Sequence, residues 1–128
     1  MGERPISVIE LSTFVRSAEA AGMGEAERGE LVNFLAQNPR AGDVIKETGG
    51  VRKLRWARAG AGKRGGYRAI YFYFDDEVPI YAILVYGKGR QADLNPAQRK
   101  AAAKFVEELK KEFRTARGGK VGADERLR

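Results

Sequence analysis

Lys53 and Arg55 alternate with Leu54 and Trp56 in the stretch Arg52-Lys-Leu-Arg-Trp56. From Arg52 to Arg68 the chain carries seven cations, Arg52, Lys53, Arg55, Arg58, Lys63, Arg64 and Arg68, and no acid. Such a run repels itself and adds little to a core, so its expected use is to hold a polyanion. The glycines of Gly60-Ala-Gly-Lys-Arg-Gly-Gly66 let backbone N–H groups approach a phosphate closely. A second basic group, Lys88 and Arg90, follows Tyr86 at once. A tyrosine at a basic rim can stack on a base or donate a proton.

Composition narrows the chemistry further. The chain of 128 residues has neither His nor Cys. That removes the usual general base at neutral pH, the commonest metal ligand, thiolate metal sites and disulfides. The formal net charge of +7 favours an acidic partner: RNA, DNA or an acidic protein. Asp75, Asp76 and Glu77 read as turn residues, since a hard cation wants several convergent oxygens and no others cluster nearby. Neither a metal nor another cofactor is expected. Gly62-Lys63 does not open a Walker A loop, because Arg64 stands where Ser or Thr would bind magnesium.

No apolar run approaches the roughly 20 residues that span a bilayer, and the start lacks the apolar stretch of a secretory signal. Position 6 is Ile rather than the Ser or Thr of a myristoylation pattern. A soluble, cytoplasmic protein without membrane contact is expected.

The elements that must position these side chains follow from periodicity. Ile6–Glu10 reads as an opening strand. Ser12 suits the N-cap of a helix with Phe14, Val15, Ala18 and Ala21 on one stripe, ended by Gly22. A second helix over Glu25 to Gln37 buries Leu31, Phe34 and Leu35 and stops before Asn38-Pro39, giving a helical hairpin. After a connector the period becomes two, which places Leu54 and Trp56 on one strand face and Lys53 and Arg55 on the other. Tyr67–Phe74 reads as a central strand, Asp75–Pro79 as a turn and Ile80–Tyr86 as a third strand, an antiparallel meander. Asn95, Pro96 and Gln98 spell a capping box for a closing helix with Ala101, Ala102, Phe105, Val106, Leu109 and Phe113 on its stripe. The expected fold is α+β in the order β-α-α-β-β-β-α, one domain over 1–114 with a charged tail over 115–128.

This order and several motifs together resemble the RelE/ParE superfamily of bacterial type II toxins, in its HigB-like branch. The matching residues are Asn38-Pro39, Gly42-Asp-Val-Ile45, Thr48–Trp56, Gly62–Gly66, Tyr67-Arg68, Ile70–Tyr73, Pro79–Tyr81, Val85-Tyr86, Lys88 and Asp93–Lys100. The likeness runs from about Ile6 to Phe113, and the Thr48–Trp56 block with its glycine-basic loop is its most specific part. Phe74, where relatives frequently carry histidine, and Gly87 and Gly89 depart from the pattern.

The resemblance implies a RelE-like fold and a small toxin that enters the ribosomal A site and cuts mRNA there. It further implies neutralisation by a cognate antitoxin carrying a helix-turn-helix DNA-binding domain. The chemistry implied is attack of a ribose 2′-OH on its own 3′-phosphate, which needs a base, cations for the phosphorane and an acid for the leaving oxygen. With His absent, the base and acid are left to Lys, Arg, Tyr or a carboxylate; Lys53 and Arg55 would line the scissile phosphate, with Lys53 favoured as base. That role would require its pKa to fall from about 10.4 toward 7–8, roughly 4 kcal/mol of differential interaction. Arg68 would stabilise the phosphorane, Tyr86 would stack or donate a proton, and Lys88 would serve as acid or phosphate contact. Arg52, Arg58, Lys63, Arg64 and Arg90 would bind and steer the RNA. A gyrase inhibitor of the ParE kind and a non-catalytic RNA- or ribosome-binding module are alternatives, and a basic face could also dock an acidic antitoxin.

Overall fold

The computed structural model describes residues 6–58, 62–87 and 94–118, apart from the side chains at 58, 62–65 and 118. Its elements run β1 (Val8–Glu10), α1 (Ser12–Ala20), α2 (Glu25–Gln37), β2 (Asp43–Val44), β3 (Val51–Arg58), β4 (Gly62–Phe72), β5 (Ile80–Gly87) and α3 (Pro96–Gly118). The five strands form one sheet in the order β1-β5-β4-β3-β2. The fold class is α+β, as expected.

The meander from β2 to β5 is antiparallel throughout. Two features depart from the expected antiparallel β-α-α-β-β-β-α chain. β1 joins β5 in parallel, so the sheet is mixed. The two-residue β2 lies inside what read as a connector, because its pairing partner Arg52–Lys53 is supplied by the following strand rather than by local pattern.

Each face of the sheet carries its own core. On one face Phe14 and Ala18 of α1 and Leu31 and Leu35 of α2 pack with Leu54, Tyr67, Ala69, Tyr71, Ile80, Ala82 and Val85. On the other, Ala102, Val106 and Leu109 of α3 pack with Val51, Ile70, Phe72 and Tyr86. From Tyr67 to Phe72 β4 is therefore covered on both sides, which is why this part of its sequence is apolar at nearly every position. Arg68 is the exception on the α3 side.

Local chemistry sets the element ends. Leu11, not Ser12, is the N-cap of α1, and Ser12 is already helical. The hydroxyls further along α1 serve β5 instead: Thr13 donates to the Ile83 carbonyl (2.6 Å) and Ser17 accepts the Val85 N–H (2.8 Å). These bonds take over the edge of β5 where pairing with β1 stops at Ala82, beside the bulge at Ile83. Gly22 ends α1 with φ of 88°, a left-handed value that favours glycine.

α3 opens on the expected capping box. The Gln98 N–H donates to Asn95 Oδ1 (2.8 Å) and the Asn95 N–H to Gln98 Oε1 (3.0 Å). Ala101 is exposed rather than on the buried stripe. The helix runs to Gly118, so 115–118 belong to it and not to the tail expected from 115 onward. Arg117 Nη1 reaches Asp75 Oδ2 (2.8 Å), tying the helix end to the turn between β4 and β5. The remaining tail, 119–128, lies outside the described residues.

β4 also starts earlier than expected. Gly62–Gly66 read as loop, yet β4 begins at Gly62, which pairs with Arg58 across a register shift. A Cβ on Gly66 would meet the Trp56 carbonyl oxygen at 2.9 Å, so glycine permits this close strand approach. Tyr73 and Phe74 lie beyond the strand's end.

Candidate functional site

Three of the sequence-selected residues fall on a single line across the sheet. Arg55 of β3 stands directly opposite Arg68 of β4, and Arg68 directly opposite Tyr86 of β5. Directly paired residues share a face, and this one is the α3 side. Lys53 lies two positions along β3, opposite Ile70, and shares that face. Exposure rises along the row: Tyr86 is 7% exposed, Arg68 half-buried and Arg55 exposed. At this level of the sheet the apolar cover therefore ends at Tyr86, and the row opens toward β3 as a cationic shelf.

Two neighbouring guanidinium groups across a strand pair repel each other, at a cost of some tenths of a kcal/mol to about 1 kcal/mol. Arg68 Nη1 is buried and has no hydrogen-bond partner among the described residues. A buried donor left unmatched costs about 1–3 kcal/mol. The repulsion falls when an oxyanion lies between the two arginines, because it screens like charge from like charge.

Tyr86 ends the row, but its ring belongs to the α3 core. It bounds Arg68 on the inner side and does not offer an exposed face for a base to stack on. Tyr67, Tyr71 and Tyr73 are buried on the opposite side, in the α1–α2 core.

Arg52, expected to bind RNA, is separated from the shelf. It pairs with Tyr71 and shares the face of Leu54 and Trp56. Its Nη1 donates to the carbonyls of Gly42 (2.7 Å) and Arg40 (3.3 Å). Tyr71 acts beside it: its hydroxyl accepts the Gly42 N–H (2.8 Å) and donates to the Pro39 carbonyl (2.8 Å). Burial raises the pKa of this hydroxyl above the ordinary tyrosine value; the Gly42 hydrogen bond and the Arg52 charge oppose that rise.

These bonds fix the start of β2 and, with it, Asp43. Asp43 is paired with Lys53 and stands on the shelf side of the sheet. It was not among the residues selected from the sequence. Only Gly42-Asp-Val-Ile45 as a block drew attention, and the register that sets Asp43 against Lys53 is long-range.

The other selected cations are less defined. Arg58, Lys63 and Arg64 lie in β3 and β4 around the register shift, with side chains outside the described set. Lys88 and Arg90 lie outside the described residues. At the far end of the sheet, the turn acids are already engaged. Asp75 binds Arg117 and accepts the Glu77 N–H (2.9 Å), and Asp76 accepts from Tyr73. Among the described residues no group of three or more Asp and Glu side chains is arranged to hold a metal ion. No helix among them is long and apolar enough to cross a membrane. No protein-family model matches the chain.

Proposed function

We propose that this chain is the toxin of a type II toxin–antitoxin system, a ribosome-dependent endoribonuclease that cuts mRNA in the ribosomal A site. The observation that carries the reading is the cross-strand pair Arg55–Arg68, with Lys53 beside it on the same face, Arg55 exposed and the other two half-buried. Single-stranded RNA offers a line of phosphates to such a shelf, and a phosphorane gathers negative charge that the paired Arg55 and Arg68 can offset. Sequence resemblance to the RelE/ParE superfamily, in its HigB-like branch, supplies the reaction and the ribosome. It also supplies the partner, a cognate antitoxin with a helix-turn-helix domain, and the cytoplasmic setting.

The proposed reaction is attack of the ribose 2′-OH on the adjacent 3′-phosphate, without a cofactor. Arg55 and Lys53 hold the phosphate and Arg68 stabilises the charge that builds on it. Tyr86 acts as the wall that aims Arg68, in place of the stacking role expected from sequence. Cleavage mapped on translating ribosomes tests this. Arg68→Ala should reduce cutting by about 10²–10³-fold, the loss typical of one oxyanion-stabilising donor. Undiminished cutting would remove Arg68 from the site. Absence of cutting by the wild-type chain, together with inhibited DNA supercoiling, would replace the reading with a gyrase inhibitor.

A further inference from the structure

The nuclease reading leaves its proton transfers without a suited base, since Lys53 alone would have to lose the proton that makes it cationic. The register between β2 and β3 offers another group. Among the described residues, Glu10 and Asp43 are the only acids within the strands. Glu10 pairs with Ala82, a member of the α1–α2 core, and binds Arg28 of α2. Among the described residues Asp43 is therefore the one strand carboxylate on the shelf side. It is exposed, and Lys53 is its direct cross-strand neighbour, with Cβ atoms at the roughly 4.5–5.5 Å of such pairs.

The support beneath Asp43 is out of proportion to a two-residue strand. Four hydrogen bonds, two from Arg52 and two at the Tyr71 hydroxyl, hold the backbone at Pro39, Arg40 and Gly42. Gly42 is itself required: a Cβ there would lie 2.9 Å from the Lys53 carbonyl oxygen and 3.0 Å from the Tyr71 ring. The buried Tyr71 and the half-buried Arg52 thus fix the backbone that presents one exposed carboxylate beside one lysine. A site whose supports are locked in this way is preorganised for chemistry.

We infer that Asp43 is the general base of the proposed cleavage and Lys53 its general acid, an inference that rests on the nuclease reading above. A carboxylate can accept the 2′-OH proton and an ammonium can donate one to the leaving oxygen, the two transfers that the reaction needs. The Asp43 carboxylate takes the proton of the 2′-OH as the 2′-oxygen forms its bond to phosphorus. The bond from phosphorus to the 5′-oxygen breaks, and that oxygen takes a proton from the Lys53 ammonium. The products are a 2′,3′-cyclic phosphate and a free 5′-hydroxyl. Solvent then returns the proton from Asp43 and restores that of Lys53, so no further reactant is consumed.

The test compares wild type, Asp43→Asn and Asp43→Glu on translating ribosomes, with thermal unfolding followed for each. Asp43→Asn should lower the maximal cleavage rate by about a hundredfold or more. The ribosome concentration at half-maximal rate and the unfolding midpoint should not change, and Asp43→Glu should recover much of the rate. An Asp43→Asn variant that cuts within a few-fold of wild type overturns the role of Asp43 alone. So does one that loses only affinity. A wild-type chain that cuts no RNA overturns the nuclease reading and this inference with it.

Discussion

Arg55 and Arg68 face each other across β3 and β4 as a direct cross-strand pair of like charges. Such a pair opposes folding, so relieving it should help stability while harming function. Arg55→Ala should leave the unfolding free energy unchanged or raise it by up to about 1 kcal/mol. Binding of single-stranded RNA should weaken in the same variant. Denaturant unfolding beside a binding titration checks both directions, and a clear loss of stability would contradict the like-charge account.

Salt dependence separates shelf cations from structural ones. Lys53, Arg55 and Arg68 together should contribute a slope of about −2.1 to log K against log salt, from about −0.7 for each single-stranded phosphate contact. Alanine at any one of the three should make the slope shallower by about 0.7. Arg52→Ala should leave the slope as it was, because Arg52 is committed to Gly42 and Arg40 on the opposite face. RNA-binding isotherms at several salt concentrations read this out.

Tyr71→Phe removes one hydroxyl from beneath β2 and leaves the Gly42 N–H without its acceptor. The expected cost is about 1–3 kcal/mol of stability. Cleavage should fall further than RNA affinity, since the phosphate-holding cations stay in place while the backbone before Asp43 loosens. Unfolding curves and the comparison of affinity with maximal rate check the two parts.

Acid should act on the far end of the sheet through Asp75. The hydrogen bond from Arg117 holds its carboxyl below the usual carboxylate pKa, against the opposing effect of burial. A carboxylate depressed in the folded state contributes stability above its unfolded pKa, near 3.9, and that contribution is lost as pH falls through the folded value. Asp75→Asn should therefore flatten the acid limb of the unfolding midpoint below about pH 4. The effect should be small and fade at high salt, because both partners are more than a third exposed (42% and 37%).

Short-range devices were the most legible part of the sequence. The Asn95–Gln98 capping box and the bounds of α2 depend on neighbours within a turn, and both stand where the sequence places them. The alternation of Lys53, Leu54, Arg55 and Trp56 was equally readable. The same period assigns Arg52 to the face of Leu54, a consequence the uninterrupted run of cations concealed. Other features depend on contacts distant in sequence. The parallel seat of β1, the pairing of β2 and the burial of Tyr86 each require knowing which segment lies alongside. Gly62–Gly66 misled because glycine signals both loops and the close approach of two backbones; at Gly66 the second meaning applies.

The parallel pairing of β1 with β5 joins Val8 to Ile80. The shelf, by contrast, is assembled from Asp43 to Tyr86 by successive hairpins. During synthesis β1, α1 and α2 must wait for β5 before their core can close, and loop closure over that span slows the step. Thr13 and Ser17 can meet Ile83 and Val85 only then. The chain's first strand cannot be seated until β5 has been made, so the α1–α2 layer closes on the sheet only once every strand of the shelf has left the ribosome.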